Sequence, residues 1–447
     1  MWETVVDLFD NAPSESSASL RLLCAADIHL GRQPSRVRPE LLGLASTRTL
    51  SPATAWFRLV EMAISERVEA VVLAGDVVEQ NDDFYEAYAD LRTGVERLAQ
   101  AGIAVVGVAG NHDLDVLPRL ARAVPGFTLL GEGGEWEALT VEGPGGLRVH
   151  LVGWSFPAEV VAADPLRGLP ERRPEPTVGI LHCDRDGSDS RYAPVSSAAL
   201  AGAEVDAWLL GHVHKPDPMT GDRPIGYLGS ITGMDPGEAG ARGAWMLTIS
   251  PAGRIEMEHH ALAPLRWETV EVPVDALDHP DEVHVRISAA IDELHEELAR
   301  LPVPPSAVGV RLILIGRSRH GDRLRRALEE VDPRAELLHR SFGISYFVHD
   351  VRFNVLPAVD LAELARDRDP VGLMAARLLT IRGERDPGER EELLRAARSR
   401  LEQVGRRKQF QAIASSEQLS EDRLAEIIEA AALRALDQLL AQKESLG

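Results

Sequence analysis

Side chains of the kinds that ligate metal ions follow five short apolar runs in the first part of the sequence. The runs and the residues that follow them are 22–26 with Asp27-Ile28-His29, 70–74 with Gly75-Asp76, 104–108 with Gly110-Asn111-His112-Asp113, 177–181 with His182, and 207–210 with Gly211-His212-Val213-His214. Apolar runs of this length are typical of buried strands. Because open α/β sheets place ligand sites at the carboxyl ends of their strands, we expect these side chains to converge.

The residue types indicate transition-metal chemistry. The candidate ligands are Asp27, His29, Asp76, Asn111, His182, His212 and His214. Imidazole, carboxylate and amide oxygen together suit Mn²⁺, Fe²⁺ or Zn²⁺ better than Mg²⁺ or Ca²⁺, which prefer oxygen alone. Seven ligands exceed what one such ion takes and predict two divalent ions. Two ions about 4 Å apart hold a bridging hydroxide and clamp the oxygens of an in-line displacement at phosphorus.

Alternating strands and helices precede the later motifs. A helix over 51–67, with Ser51 as its N-cap, is expected to bury Phe57, Val60 and Ile64. A second helix, capped by Asp82, is expected to end near residue 100. This βαβαβ order predicts parallel strands. From 137 to 260 the runs shorten, which predicts a second, mixed or antiparallel sheet that contains strands over 147–153, 177–181, 208–210, 225–228, 244–249 and 254–260. Two sheets stacked between helical layers fit this count.

The remainder of the chain reads as two further regions. Strands over 268–272 and 308–315 and helices over 281–301 and 322–331 predict a small α+β cap domain. From residue 360 onward the pattern is helical. The last helix starts near 420 and is expected to place Leu424, Ile427, Ile428, Ala431, Ala435 and Leu439 on one face. The predicted divisions are therefore 1–19 (lead-in), 20–263 (catalytic domain), 264–356 (cap domain) and 357–447 (helical region).

Composition narrows the class of protein. A chain of 447 residues with 45% hydrophobic residues is too long for one core and too apolar for global disorder. No apolar segment reaches the roughly 18 residues that span a bilayer, and the first 19 residues lack the pattern of a secretory signal. Only two cysteines, Cys24 and Cys183, suit a reducing compartment, so we expect a cytoplasmic location. The net charge of −22 argues against a broadly basic nucleic-acid binder but leaves a local positive channel open.

The full motif set resembles that of the calcineurin-like metallophosphoesterases over about 20–260. Within that superfamily the chain is similar to the SbcD-like bacterial DNA-repair exonucleases, particularly the YhaO type. This narrower likeness rests on 27–31 (Asp-Ile-His-Leu-Gly), 192–194 (Tyr-Ala-Pro), 227–230 (Tyr-Leu-Gly-Ser) and the positions of Glu238, Gly240 and Gly243. The resemblance implies a four-layer α-β-β-α sandwich that carries a dinuclear site, followed by the α+β cap domain and C-terminal helices.

The resemblance also implies a role for each motif residue. Asp27, His29, Asp76 and His214 would hold the first ion, and Asp76, Asn111, His182 and His212 would hold the second, with Asp76 as the bridge. His112 would not be a ligand. It would face the scissile phosphate and either stabilise the transition state or protonate the leaving oxygen.

Residue 79 departs from the pattern of the related nucleases, which usually carry His three residues after the bridging Asp. The superfamily's phosphatases have a carboxylate there that orients the catalytic His. We therefore hypothesise that Glu79 hydrogen-bonds His112 and raises its basicity. The alternative is a solvated loop carboxylate without a catalytic role.

Two basic runs offer a path for DNA. The denser one lies at 317–326 and contains Arg317, Arg319, Arg323 and Arg326, and the second is Arg406-Arg407-Lys408. One interpretation is that the denser run guides a phosphodiester backbone. The alternative is a solvated helix face paired with Glu329 and Glu330. The resemblance further implies an SbcC-like coiled-coil ATPase that binds the last helix, and a homodimer. The alternative for that helix is packing within this chain.

The predicted function is that of a dinuclear Mn²⁺-dependent phosphodiesterase, a DNA exonuclease or endonuclease subunit that acts on DNA ends in repair. Two alternatives stay open. One is a phosphodiesterase or phosphatase for a nucleotide or another small phosphoester, which the acidic charge and Glu79 favour. The other is a scaffold that has kept its metal sites but serves to recruit the ATPase.

Overall fold

The computed structural model describes residues 19–37, 47–79, 84–187, 190–275, 277, 279–341, 343–405 and 420–446. The 1–18 segment, Asp82 and the Arg406-Arg407-Lys408 run lie outside these residues. Two compact units are present: one contains the described residues up to Ile315 together with Asp322–Asn354, and the other contains Gly316–Gly321 and the residues from Val355 onward. Among the described helices, none combines the length and apolarity that a membrane span requires.

Fifteen strands lie in the described part of the chain. They are β1 (Leu20–Ala25), β2 (Ala70–Ala74), β3 (Ala104–Val108), β4 (Phe127–Leu129), β5 (Glu137–Glu142), β6 (Arg148–Trp154), β7 (Thr177–His182), β8 (Ala207–Gly211), β9 (Ile225–Tyr227), β10 (Gly243–Ile249), β11 (Ile255–Ala261), β12 (Leu265–Pro273), β13 (Ala307–Ser318), β14 (Leu338–Ser341) and β15 (Ile344–Pro357).

Eleven α-helices are described in the same residues, besides short 3₁₀ turns at Thr47–Leu50 and Pro144–Gly146. They are α1 (Pro52–Glu66), α2 (Phe84–Gln100), α3 (Val116–Ala123), α4 (Ser197–Gly202), α5 (Glu282–Leu298), α6 (Gly321–Glu330), α7 (Pro333–Glu336), α8 (Leu361–Leu364), α9 (Pro370–Ile381), α10 (Pro387–Gly405) and α11 (Glu421–Leu446).

The first sheet has six strands in the order β11-β10-β1-β2-β3-β4. β1, β2, β3 and β4 are parallel, which confirms the parallel arrangement predicted from the βαβαβ order. β10 returns from late in the sequence and pairs antiparallel with β1, so that Leu22 lies opposite Leu247. The carboxyl ends of β1, β2 and β3 therefore meet at one edge of the sheet, where the polar motif residues follow.

The second sheet has five strands in the order β5-β6-β7-β8-β9. β6 to β9 are parallel and β5 is antiparallel to β6, so the sheet is mixed, as one of the two predicted alternatives states. The prediction that the strands over 244–249 and 254–260 join this sheet is wrong, because β10 and β11 extend the first sheet instead. An apolar strand pattern is the same in either sheet, and only the long-range pairing decides between them.

Alternation along the strands builds the layers. Leu23 and Ala25 of β1 face the core under α1 and α2, whereas Leu22 and Cys24 face the other sheet. On the outer side of the second sheet, a separate core includes Leu200 of α4. Helices, sheet, sheet and helix thus form a four-layer α-β-β-α sandwich, as predicted.

Helix α1 is rotated from its predicted face. Its fully buried residues are Pro52, Ala55, Trp56, Leu59, Val60 and Ala63. Of the predicted core residues only Val60 is fully buried, and Phe57 and Ile64 are half-buried. The Trp56 indole decides the rotation, because it is fully buried and donates a hydrogen bond of 3.0 Å from Nε1 to the Asp90 carbonyl of α2.

A third sheet, in the order β12-β13-β15-β14, follows the sandwich, and α5 and α6 accompany it. The sequence predicted two of these strands and both helices but missed β14 and β15. In the second unit α8, α9 and α11 share a small apolar core. The face predicted for α11 is wrong in part: Leu436 is fully buried against this core, whereas Ile427 and Ala431 are exposed.

Candidate metal centre

Four of the predicted ligands lie in unusual backbone conformations just beyond strand ends. The φ angles of Asp27, His29, Asp76 and His212 are +49°, +54°, +49° and +106°. Side chains other than glycine rarely adopt positive φ, and such strain concentrates at functional sites that the surrounding fold holds in place. Here the Asp27 amide donates to the Gly75 carbonyl at 3.1 Å, and the His29 amide donates to the Asp76 carbonyl at 3.0 Å.

Two motif positions require glycine because neighbouring atoms lie too close for a side chain. A Cβ atom on Gly110 would lie 2.1 Å from Asp76 Oδ1, and one on Gly211 would lie 2.0 Å from the Ala74 carbonyl oxygen. Real Cβ atoms do not come so near. The glycines therefore let the motif loops pack directly against the ligand side chains.

Asp27, His29 and His214 form a first cluster, with one donor atom of each within 4.8 Å of the other two. His29 Nε2 and His214 Nε2 lie 3.1 Å apart. Asp27 and His29 are almost fully buried. The sequence thus predicted correctly that the first and last motifs meet, although 185 residues separate them.

A carboxylate lies behind each imidazole of the first cluster. Glu238 Oε1 is 2.6 Å from His214 Nδ1, and Glu79 Oε2 is 2.9 Å from His29 Nδ1. The contact between Glu238 and His214 is a hydrogen bond. The contact between Glu79 and His29 is an ion pair whose atoms are not aligned for a hydrogen bond. Burial opposes ionisation, but the contact with His214 lowers the pKa of Glu238. A carboxylate at Nδ1 fixes the proton there and leaves Nε2 free to bind a metal.

Asp27, Asp76 and His182 form a second cluster. His182 Nε2 lies 3.4 Å from Asp76 Oδ2 and 3.2 Å from Asn111 Oδ1, while its Nδ1 lies 3.1 Å from the Ala74 carbonyl oxygen. Burial opposes ionisation of Asp76, but the charge of His182 holds the pKa of that carboxyl well below its usual range. Asp27 is the residue common to both clusters, whereas the resemblance implies Asp76 as the bridge.

His212 is near the clusters but is a member of neither. Its backbone amide donates to Asp27 Oδ1 at 3.1 Å, and its ring centre lies 5.3 Å from that of His182 and 5.3 Å from that of Tyr192. Burial, followed by the charge of His182, lowers the pKa of His212 to about 4. The ring is therefore neutral at physiological pH, the state in which imidazole binds metal.

The arrangement fits divalent ions. When each Nδ1 of His29 and His214 carries its proton toward a carboxylate, two Nε2 lone pairs face each other across 3.1 Å. A cation between them satisfies both. Burial raises the pKa of Asp27, and a cation beside this carboxylate favours its ionised form. Two overlapping clusters of imidazole and carboxylate match the donor set of a two-metal site.

His112 points its side chain toward solvent beside the clusters. Its backbone amide donates to Asp76 Oδ1 at 3.1 Å, and its Nδ1 lies 3.0 Å from the backbone carbonyl oxygen of Glu79. The hypothesis that the Glu79 carboxylate bonds His112 is wrong in this structure. The carboxylate faces His29 instead, because a backbone bridge between Leu30 and Val78 aligns residue 79 with the first motif.

Sequence reasoning missed two residues that organise the centre. The carboxylate of Asp113, which is fully buried, accepts hydrogen bonds from the Gly110 amide at 2.7 Å and the Val77 amide at 2.6 Å. It thereby ties the loop after β3 to the loop after β2, and burial raises its pKa to about 7. The signal for Asp113 in the sequence was its position directly after His112 in the Gly-Asn-His-Asp motif. Glu238 was noted only as part of the resemblance, and no spacing argument connects it to His214.

The predicted DNA-binding arginines differ in exposure and in their contacts. Arg317 is engaged within the second unit, where its Nη2 pairs with Asp437 at 2.5 Å and its Nη1 donates to the Pro357 carbonyl. Arg319, Arg323 and Arg326 are exposed. No ion pair joins Arg323 or Arg326 to Glu329 or Glu330 in the described residues, contrary to the alternative of a paired helix face.

Comparison with known proteins agrees with the motif assignment. Residues 20–216 match the calcineurin-like phosphoesterase family, and residues 267–355 match the middle domain of the metallophosphoesterase YhaO. The chain is 23% identical over 329 residues to YhaO of Bacillus subtilis (strain 168), which covers 66% of this chain and 72% of that protein.

A second relative is the DNA double-strand break repair protein Mre11 of Methanosarcina mazei. It is 22% identical over 291 residues, which cover 64% of this chain and only 45% of Mre11. Among solved structures, a dimetal phosphatase from Danio rerio covers 53% of this chain and 94% of its own at 13% identity, with a TM-score of 0.34. The chain therefore contains a calcineurin-like metallophosphoesterase domain followed by a YhaO-type middle domain, and it is homologous to YhaO and to Mre11.

Proposed function

We propose that this protein is a Mn²⁺-dependent phosphodiesterase that cleaves DNA ends and serves in DNA repair. The observation that carries the proposal is the pair of overlapping clusters whose Nε2 and carboxylate atoms converge on shared positions. Similarity to Mre11 favours DNA as the substrate. Fe²⁺ and Zn²⁺ suit the same donors and are alternatives to Mn²⁺.

In this proposal Asp27, His29, Asp76 and His214 hold one ion, and Asp76, Asn111, His182 and His212 hold the other. Divalent ions held there would supply an activated water as the nucleophile and charge neutralisation at the phosphoryl oxygens. The Glu238 carboxylate accepts from His214 Nδ1 and keeps the imidazole proton there, and the Glu79 carboxylate pairs with His29 Nδ1 at 2.9 Å. Gly110 and Gly211 keep the loops close enough for the ligand atoms to converge.

His112 acts on the phosphate rather than on the ions. The Glu79 backbone carbonyl oxygen lies 3.0 Å from His112 Nδ1 and accepts a hydrogen bond from it, which fixes the orientation of the ring. An imidazolium with Nδ1 engaged presents its Nε2–H to solvent, where it donates to the leaving oxygen. Glu79 thus supports catalysis twice, through its carbonyl at His112 and through its carboxylate at His29.

The test uses purified protein, Mn²⁺ and end-labelled single- and double-stranded DNA. We expect nucleotide release by the native protein and none by Asp76→Asn or His112→Ala. Asp206→Asn is the matched control, because this carboxylate pairs with Arg172 far along the second sheet. Equal cleavage by native protein and both site variants would mean that a contaminating nuclease is responsible and would refute the proposal.

Arg323 and Arg326 of α6 are proposed to contact the DNA backbone, with Arg319 nearby in sequence. Each phosphate contact contributes about one unit to the slope of log affinity against log salt. We expect the double variant Arg323→Gln/Arg326→Gln to bind DNA more weakly and with a smaller salt slope. Arg300→Gln removes an exposed arginine that pairs with Glu296 and is the control. An unchanged slope would remove these arginines from the interface.

A second candidate function is hydrolysis of a nucleotide or another small phosphoester. The net charge of −22 and a carboxylate at position 79 favour it. It predicts Mn²⁺-dependent turnover of bis-p-nitrophenyl phosphate or a cyclic nucleotide with no cleavage of duplex ends. The same protein preparations and the same variants decide between the two substrates.

Partners and location complete the proposal. The exposed residues Ile427 and Ala431 of α11 are offered as the contact for an SbcC-like coiled-coil ATPase, and a homodimer is retained from the resemblance. A scaffold role alone would give a stable ATPase complex that is indifferent to His112→Ala. The domain divisions 20–263, 264–356 and 357–447 and a cytoplasmic location also stay proposals, the last supported by two buried free cysteines.

A further inference from the structure

A pocket of about 330 Å³ lies next to the metal-ligand loop and is not part of either cluster. It lies between the chain just after His214 and the β10–β11 hairpin. The lining residues that carry charge or an aromatic ring are Lys215, Asp217, Arg242, Trp245 and His259. We call it the Arg242 pocket. Its volume is at the lower end of the range of about 300–1,000 Å³ that holds small ligands in proteins.

Arg242 is the unusual member of this pocket. The residue is only 4% exposed, although a guanidinium carries a permanent charge. Its Nε is shut off from solvent without a hydrogen-bond partner, and its Nη1 reaches only the adjacent Ala241 carbonyl at 3.5 Å. In the described part of the chain no carboxylate lies within ion-pair distance of it. A buried charge without a partner is costly unless something else supplies one.

Two more cationic or proton-binding groups line the same pocket. Lys215 is exposed and is one of only three lysines in the chain. His259 Nε2 is buried without a hydrogen-bond partner, and the ring packs edge-on against Trp245 at 4.9 Å. Burial, followed by the charges of His260, Arg242 and Arg266, lowers the pKa of His259 to about 4. The pocket is thus lined by two cationic side chains, Lys215 and Arg242, and one carboxylate, Asp217, in a protein whose net charge is −22.

The nearby carboxylates have other partners. Asp217 accepts from Arg185 at 2.8 Å and from the Tyr227 amide at 2.9 Å. Glu238 bonds His214 and the Met234 amide, and Glu268 pairs with Arg266. None of these carboxylates lies within ion-pair distance of Arg242 in the described residues, and the charges of Glu238 and Glu268 act on it only from farther away.

We propose that the Arg242 pocket is a second, metal-independent binding site for a phosphate group. Arg242 donates from its planar guanidinium, the exposed Lys215 adds a second positive charge, and His259 adds a ring nitrogen. The Trp245 indole, held by a hydrogen bond of 3.0 Å from its Nε1 to the Leu228 carbonyl, supplies a rigid apolar wall. A phosphate matches this donor set because it is compact, anionic and accepts several hydrogen bonds.

The phosphate belongs either to a free nucleotide or to the end of a DNA strand, and both present the same chemistry. Lys215 follows the ligand His214 directly, so a group bound here is adjacent in the chain to the catalytic loop. The inference does not depend on the proposed nuclease activity, because it concerns binding in the absence of metal.

The test is calorimetric titration of the full chain after removal of metal by chelation and dialysis. The probes are inorganic phosphate, dAMP, and an oligo-dT with either a 5′-phosphate or a 5′-hydroxyl. We expect saturable binding of at least one phosphate-bearing probe. Arg242→Gln is expected to weaken it about tenfold or more, since hydrogen bonds to charged groups are among the stronger ones. Binding of inorganic phosphate and dAMP indicates the free source, and a preference for the 5′-phosphorylated strand indicates the DNA end.

Controls separate binding from folding. Arg254→Gln removes an exposed arginine from the turn of the same hairpin and is expected to leave binding unchanged. Thermal unfolding reports whether Arg242→Gln is folded. If it is not, Lys215→Gln and His259→Gln carry the test, each with an expected loss of about threefold or more. The proposal is overturned if no probe binds saturably, or if binding is the same in these variants as in Arg254→Gln.

Discussion

Replacing Glu238 with glutamine tests how the first cluster is organised. The Glu238 carboxylate serves two neighbours at once, with Oε1 2.6 Å from His214 Nδ1 and Oε2 2.8 Å from the Met234 amide nitrogen. Glutamine offers one acceptor oxygen and one donor nitrogen, so it accepts from only one of them. The substitution keeps the size of the side chain and removes both its charge and half of its accepting capacity.

The expected magnitude follows from the position of Glu238 behind a ligand. Loss of a carboxylate that orients a metal-binding imidazole typically costs about 10- to 100-fold in metal affinity. That range corresponds to about 1.4–2.7 kcal/mol at 25 °C. Only the metal affinity of the predicted site at His29 and His214 is expected to fall, because the second cluster contains neither residue.

The assay is calorimetric titration of chelated protein with Mn²⁺. We expect a two-site isotherm for the native protein and weakening of one site in Glu238→Gln. Glu79→Gln is expected to weaken the same site, because its carboxylate lies 2.9 Å from His29 Nδ1. Glu256→Gln makes the same charge change at an exposed position and is expected to change nothing. Native affinity at both sites in Glu238→Gln would refute this reasoning.

Three further predictions concern stability. Gly211→Ala places a Cβ 2.0 Å from the Ala74 carbonyl oxygen, a backbone atom that does not move aside, and should cost about 1–3 kcal/mol of unfolding free energy in denaturant titrations. Mn²⁺ at 100 times its Kd should stabilise the native protein by about 2.7 kcal/mol in thermal unfolding, and Asp76→Asn should lose most of this gain. The pKa of His259 is lowered to about 4 in the folded state. The unfolded state, with a histidine pKa of about 6.5, therefore binds this proton at a higher pH than the folded state does, and the free energy of unfolding falls as the pH drops from about 6.5 to 4. In phosphate-free buffer His259→Gln should lose less over this window than the native protein, and parallel curves would contradict the assignment.

The sequence was informative where chemistry and strand periodicity coincide. Each apolar run that is followed by a residue of a metal-ligand type is a strand in the structure. Imidazoles and carboxylates at the ends of buried parallel strands were therefore a reliable signal of a site. The two clusters bring together Asp27, His29, Asp76, His182 and His214 as predicted. Their roles as metal ligands are still a prediction.

What the sequence did not predict depends on contacts between distant segments. Glu79 faces His29 rather than His112 because the Glu79 amide donates to the Leu30 carbonyl at 3.1 Å and thereby fixes the position of the loop. Arg317 looks like its neighbours in sequence, but its pairing with Asp437 requires a helix 120 residues away. Neither partner leaves a local signal, since spacing patterns report only on residues within one element.

The position of β1 has a consequence for synthesis of the chain. It is the first strand described, yet it lies inside the first sheet, between β2 and β10. Until residue 249 has left the ribosome, one edge of this apolar strand has no partner, and the predicted ligand His214 and its neighbour Glu238 are also synthesised late. Unpaired apolar edges invite association with other chains, and long-range pairing of this kind is slow. We therefore expect the nascent protein to depend on chaperones over more than half of its length, and the predicted metal site to form only after residue 238 has been synthesised.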